Sequence, residues 1–253
     1  MKRTLFLPGV ALLMFAGAAH AQTYAGISVG ATFPEDSRNR GTTTSAIPAT
    51  AAFPAIPAGT AVDWRTEFNT GFNLAGQIGH RFDNGLRIEA ELAWTRASVD
   101  RHRNMLVGGA NIDGANLAIL TRGTSVPGGP TVGAALSTDP GRVDTIGAFG
   151  NIFYDFNRSG KLQPYVGAGL GFQHVIVDYR PSNTPVADGT DTRFAYQLMA
   201  GATYKLSPRT ELFGQYTWRE ADGRAQVRNL LVPATLGVQS RQSIVSAGVR
   251  FGF

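Results

Sequence analysis

In eight separate stretches of this chain the side chains alternate between apolar and small or polar at every second position, and a period of two belongs to a β-strand. The stretch 23–33 sets the pattern. Ala25, Ile27, Val29, Ala31 and Phe33 fall on one face, and Tyr24, Gly26, Ser28, Gly30 and Thr32 on the other. The same alternation returns over 66–82, 86–97, 143–156, 162–179, 192–206, 210–220 and 242–253. Beyond the first twenty-one positions no run of eighteen apolar residues occurs, which excludes a helical membrane span.

The connections are unequal. Three are very short: Asp83-Asn84-Gly85, Asn157-Arg158-Ser159-Gly160 and Ser207-Pro208-Arg209. The intervening ones, about 34–65, 98–142, 180–191 and 221–241, are long. Strands joined by short turns at one rim and long loops at the other describe an all-β fold, an eight-stranded antiparallel transmembrane β-barrel with long extracellular loops. A soluble barrel would also alternate, so the aromatic residues decide. Outward aromatics gather in two belts, with Phe82, Tyr154, Phe156, Tyr204, Phe251 and Phe253 at the short-turn rim and Phe33, Phe68, Trp94, Phe194, Tyr196 and Trp218 at the loop rim. Paired girdles at these two levels are expected of a barrel crossing a bilayer.

Export is written at the start. Lys2 and Arg3, an apolar run from Thr4 to Ala18, and Ala19-His20-Ala21 read as a signal peptide over 1–21, leaving 22–253 as the barrel domain in the bacterial outer membrane. With no cysteine, an exported chain has no disulfide framework. The 31 glycines in 253 residues, about 12 % against the usual ~7 %, mostly lie inside the strands, where a packed interior can use small residues. The formal charge of +5 becomes +3 once Lys2 and Arg3 leave. That modest excess suits lipopolysaccharide phosphates and is too diffuse for nucleic acid.

The stretches YAGISVGATF, NIFYDFN, LQPYVGAGLGF, LFGQYTW and SAGVRFGF resemble, in order and spacing, the small outer-membrane barrels of proteobacteria, the opacity-protein and porin-like family of the outer membrane protein β-barrel domain. The likeness covers the strands and none of the long loops. It implies an eight-stranded barrel, insertion by the β-barrel assembly machinery, and surface or structural roles without a shared catalytic residue. The OmpA-like barrels can carry a peptidoglycan-binding domain after the last strand, and none is expected after Phe253.

The loop over 34–65, rich in Thr, Ala and Pro, is expected to stay mobile, and the 98–142 connection to hold a hairpin centred on Asn111-Ile112-Asp113-Gly114. That hairpin is either an extension above the membrane or two further spanning strands, giving ten. The inward charges Glu67, Arg81, Arg87, Glu89, Glu91, Asp155, Arg193, Lys205, Glu211, Arg219 and Arg250 are six positive and five negative, close to balance. Arg87, Glu89, Glu91 and Arg250 are expected to pair as an ionic plug in a lumen that eight strands leave just wide enough for side chains. Val249, Phe251 and Phe253 form the expected assembly signal. His174 with Asp178, about 13 Å apart on one strand face, is too separated for a catalytic pair, and His80 and His102 fall elsewhere. No catalytic residue, metal site or cofactor is expected. The resulting expectation is a monomeric, non-enzymatic barrel that supports envelope integrity and presents loops to a surface ligand. The alternatives are a narrow channel gated by the lumen charges and a lipid-modifying enzyme.

Overall fold

The computed structural model describes residues 22–50, 53–138, 141–183, 186–229 and 233–253, so the expected signal peptide lies outside the described residues. Thirteen strands form one antiparallel sheet. They are β1 Gln22–Pro34, β2 Ser37–Thr43, β3 Ala61–Phe68, β4 Gly71–Arg81, β5 Leu86–Val107, β6 Ala110–Asn111, β7 Arg142–Asp155, β8 Leu162–Tyr179, β9 Ala187–Lys205, β10 Thr210–Ala221, β11 Ala225–Asn229, β12 Ala234–Val238 and β13 Arg241–Gly252. Two short helices, α1 Ala118–Thr121 and α2 Val132–Leu136, sit between β6 and β7.

The pairing path returns on itself. From β1 it runs through β4, β5, β7, β8, β9, β10 and β13 and back to β1, each pair antiparallel. Thirteen strands stand where the alternation predicts eight, and the surplus has a local cause. Four walls of this ring are interrupted, at Glu35-Asp36, Asn69-Thr70, Asp222-Gly223-Arg224 and Gln239-Ser240, so that β1, β4, β10 and β13 continue beyond the break as β2, β3, β11 and β12. Pro34, which has no amide hydrogen to donate, closes β1, and Gly223 takes a positive φ of 72° in the β10–β11 break. Beyond the breaks a second tier pairs β5 with β3, β3 with β2, β2 with β12, β12 with β11, and β11 with β9.

The two tiers have opposite polarity. In the first, large apolar side chains point outward, among them Val29, Leu92, Leu170 and Phe172, each about 60 % exposed, while Arg87, Gln173, Gln197, Arg219 and Arg250 are buried inside. In the second, Val62, Trp64, Val99, Val175, Val177, Leu236 and Val238 are buried in one apolar core. Its outer face carries Arg38, Arg40, Arg65, Arg101 and Arg103. Helix α2 covers one flank of that core with Val132 and Leu136, its amide end capped by Thr131, whose Oγ1 accepts from the Ala134 N–H. Burying each such side chain contributes about 1.5–3 kcal/mol, which holds the second tier together without a disulfide.

The long connections are therefore largely structured, contrary to the expectation of loops. The 34–65 segment contains β2 and most of β3, and the 221–241 segment contains β11 and β12. The hairpin in 98–142 exists, but its turn is Gly108-Gly109, both with positive φ, rather than Asn111-Ile112-Asp113-Gly114. Asp113 instead accepts the backbone N–H groups of Asn104 and Met105. After Asn111 the chain turns into α1 and α2, so this region adds no pair of long strands to the ring.

Candidate functional site in the ring interior

The first tier is filled by side chains in layers. Nearest the short turns, Arg81 Nε lies 2.9 Å from Asp155 and its Nη1 2.8 Å from Glu211. Arg87 lies 3.2 Å from the same Asp155 and 3.1 Å from Glu89. Tyr24 Oη donates to Glu89 at 2.5 Å, and Arg250 approaches Glu89 at 3.8 Å while donating to Thr203 Oγ1 at 3.0 Å. One layer further in, Arg219 Nη2 meets Glu91 at 2.6 Å and its Nε donates to Gln197 at 2.8 Å. Asn151 Nδ2 donates to Glu91 at 3.1 Å. Above this lie neutral contacts, Thr95 with Thr145 at 2.5 Å and Thr32 to Gln242 at 3.0 Å, before the apolar core begins.

Each layer balances its own charge. Arg81, Arg87 and Arg250 stand against Glu89, Asp155 and Glu211, and Arg219 stands against Glu91. Aromatic rings take the flat faces of the guanidinium groups: Arg250 lies 3.8 Å from the Phe213 centroid, Arg87 4.0 Å from Phe153 and Arg219 4.3 Å from Phe149. Glycine makes room for those rings. A Cβ on Gly167 of β8 would sit 2.2 Å from Phe153, and one on Gly169 would sit 2.0 Å from Asn151 Oδ1. The glycines of the GAGLGF stretch thus act as sockets for the bulky inward residues of β7.

The expected network of Arg87, Glu89, Glu91 and Arg250 is present but divided. Arg87, Glu89 and Arg250 share the lower layer, whereas Glu91 belongs with Arg219 in the next. Asp155, Arg81, Glu211 and Tyr24 complete the lower layer, and only their inward orientation was readable from alternation. Glu67 is a correction: it lies on the outer face of the second tier, paired with Arg101 at 2.8 Å and also with Arg103. Alternation runs unbroken through β3 from Val62 to Phe68, so the phase that puts Glu67 outside is the second tier's own and reverses only across the Asn69-Thr70 break before β4. The same phase turns Phe68 inward onto the apolar core, so it leaves the belt in which it was expected. Lys205 sits at the short-turn mouth, and Arg193 folds onto Asp191 at 2.6 Å.

The other belt residues face outward. Phe82, Phe156 and Tyr204 are exposed at the short-turn end. At the other end Trp94 Nε1 donates to Asp144, and Trp218 lies beside Tyr196 and Arg241. Such rings, with an apolar body and an anchored polar tip, suit an interface between hydrocarbon and water. Val249 and Phe251 share the outer face of β13, and Phe253, the residue after that strand, is 73 % exposed.

His174 accepts or donates through Nδ1 to Thr192 at 2.8 Å, and Asp178 is taken by Arg180 and Arg142, so the two are engaged separately. Among the described residues no group of three or more His, Asp or Glu side chains has the arrangement of a metal site. A vestibule of about 440 Å³ opens at the short-turn end, lined by Arg81, Lys205, Arg209, Glu211 and Arg250. Near the junction of the tiers a pocket of about 30 Å³ lies among Phe68, Thr95, Thr145 and Gln242, room for a water or two.

The model of the outer membrane protein beta-barrel domain family matches residues 4–251. An uncharacterized protein of Brucella abortus is 29 % identical over 155 residues, 58 % of this chain and 50 % of that protein. An outer membrane protein of Gluconacetobacter diazotrophicus is 29 % identical over 160 residues, 58 % of this chain and 35 % of that protein. This chain therefore spans half or less of the curated relatives it matches. Among solved structures, the outer membrane protein OprG from Pseudomonas aeruginosa superposes with a TM-score of 0.55 at 10 % identity, covering 91 % of this chain and 96 % of that one. Neisserial surface protein A gives 0.47 at 18 % identity, covering 93 % and 100 %. Identities this low speak to the fold alone.

Proposed function

The chain belongs to the outer membrane protein β-barrel family, and from that premise we propose that it is a closed, non-enzymatic eight-stranded barrel that holds a folded head above the outer membrane. The head is the second tier, on the side away from the short turns. In this role the barrel contributes to envelope integrity and presents the outer face of the head for contact.

The observation that carries this reading is that the interior is filled twice by unlike means. Charge-balanced layers around Glu89 and Glu91 occupy the first tier, and an apolar core with Trp64, Val177 and Leu236 occupies the second. An ion that passed the first would still have to cross the apolar core of the second, where the buried polar side chains Ser37, Asn39, Thr66 and His102 are set among Val62, Trp64, Val177 and Leu236. The outer surface of the first tier supports the bilayer assignment, since every one of its eight strands exposes large apolar side chains, a continuous band of the kind that soluble monomers rarely expose.

Single-channel recording of the refolded protein tests it. Wild type and Arg250→Ala are both expected to stay silent, because the variant opens only one of the two seals. The 440 Å³ vestibule favours the narrow channel as second reading. A steady conductance in wild type would establish that reading over ours, and migration that differs between unheated and boiled samples checks the barrel itself.

A further inference from the structure

On the outer face of the second tier three arginines stand side by side on three adjacent strands. Arg38 of β2 is the register partner of Arg65 on β3, and Arg65 is the register partner of Arg103 on β5. Directly opposed like charges about 5 Å apart destabilise a sheet, so a row of three works against the fold that carries it. The neighbouring carboxylates do not cancel the row. Asp63 is shared between Arg38 at 3.1 Å and Arg40 at 3.2 Å, and Glu67 between Arg101 at 2.8 Å and Arg103. Asp100 lies against Arg101 at 3.0 Å. Among the described residues Arg65 forms no ion pair, and Arg224 extends the cluster by donating to the Arg38 carbonyl at 2.8 Å. Six arginines thus face three carboxylates.

Height narrows the occupant. Arg38 lies five residues beyond the outward Phe33. At about 3.3 Å per residue on a strand tilted by ~40°, that is about 13 Å above the belt. Phospholipid headgroups reach only about 5–8 Å beyond the hydrocarbon. Lipopolysaccharide extends further, with phosphates and acidic sugars at the level a downward-reaching arginine can touch. Planar guanidinium groups bind phosphate in pairs of hydrogen bonds, which a lysine row would not.

We propose that the Arg38–Arg65–Arg103 row is a binding site for the phosphorylated saccharide of lipopolysaccharide. The site rests on the outer-membrane barrel reading above and adds a ligand class to it. A bound polyanion supplies the counter-charge the fold lacks, which explains why the row persists at a cost to the sheet.

The test titrates the refolded, detergent-solubilised protein with lipopolysaccharide, the same lipopolysaccharide after dephosphorylation, phosphatidylglycerol and heparin, at two salt concentrations. Wild type should bind the phosphorylated form at least tenfold more tightly than the dephosphorylated one and lose affinity as salt rises. The triple variant Arg38→Gln, Arg65→Gln and Arg103→Gln should lose that preference while unfolding at an equal or higher denaturant concentration. Asp63→Asn, which removes a competing carboxylate, should tighten binding. Equal affinity of wild type and triple variant overturns the proposal, as does an unchanged affinity in Asp63→Asn, which keeps the test decisive if the triple variant does not fold. Heparin bound more tightly than lipopolysaccharide through the same residues overturns it in favour of a soluble polyanion. Failure of the barrel reading is distinguishable: the protein would then neither insert into bilayers nor show a heat-dependent shift on a gel.

Discussion

Glu91 and Arg219 meet at 2.6 Å inside the first tier, while Glu89, only two residues from Glu91 on the same face of β5, is held by a different set of partners. Both side chains of the pair are almost fully buried. Arg219→Ala should therefore leave Glu91 without its cation and lower stability by about 3–5 kcal/mol if the layer is dry. The double variant Glu91→Gln, Arg219→Gln should recover part of that loss. Denaturant unfolding in micelles reads both, and a loss below about 1 kcal/mol would mean the layer is hydrated.

The socket glycines give a contrast within one hairpin. Gly169→Ala forces a methyl against Asn151, whereas Gly150→Ala on the outer face meets nothing within 4 Å. Overpacking should cost the first variant roughly 1–3 kcal/mol and leave the second near wild type. Equal unfolding midpoints for the two would show that Asn151 and its neighbours can repack freely.

Leu236→Ala removes a fully buried side chain from the core of the head and should cost about 2–5 kcal/mol. Because Leu236 lies beyond the breaks, the damage should stay local. Limited proteolysis is expected to cut the 98–142 segment faster in the variant while the heat-dependent gel shift persists. Simultaneous loss of both would make the two tiers one cooperative unit.

Cysteine labelling reads orientation cleanly, since the chain has no cysteine of its own. Val126→Cys, on an exposed loop beside the head, should react with an impermeant reagent on intact cells. Arg209→Cys, in a short turn, should react only after permeabilisation. The reverse pattern would invert the barrel.

Acid should loosen one seam of the head. Burial pushes the Asp191 carboxyl upward, but the Gln226 amide and the Arg193 guanidinium bonded to it outweigh that and hold it below the usual carboxylate range. A depressed folded-state value contributes stability that is fully present above the ordinary carboxylate range and is lost as the pH falls through the folded value. Hydrogen exchange at Gln226 should accelerate at that acidic end, and Asp191→Asn should accelerate it at neutral pH and remove the acid dependence. Unchanged exchange in the variant would show that β9 and β11 are held by other contacts.

Inward and outward faces of the first tier were legible because a period of two is a local property: the inward placement of Arg87, Glu89, Glu91 and Arg250 follows from counting along one strand. Which cation each carboxylate meets was not legible. Glu91 finds Arg219 across the interior because of the tilt and stagger of the whole ring, and no short string encodes that. The second tier was missed for a different reason. AVDWRTEF alternates with Val62 and Trp64 inward and Asp63 and Arg65 outward, the opposite sign to the lipid-facing pattern. In β2 the inward residues include Ser37 and Asn39, so no apolar rhythm marks that strand at all. The change of phase at Asn69-Thr70 then left Glu67 and Phe68 on the faces opposite to those that counting back from β4 assigns.

The reversal of polarity between the tiers also sets a waterline. Outward residues change from Phe33 to Glu35, from Trp94 to Arg96, from Ile146 to Asp144 and from Phe194 to Thr192, one side-chain step on each of four walls. Sliding the molecule down by that step would sink Arg96 and Asp144 into hydrocarbon, and sliding it up would lift a ring of bare apolar side chains into water. Such a molecule has one stable depth. Where the lipid is thicker or thinner than its apolar band, the membrane must adjust its local thickness to the protein, at a cost of fractions of a kcal/mol per ångström.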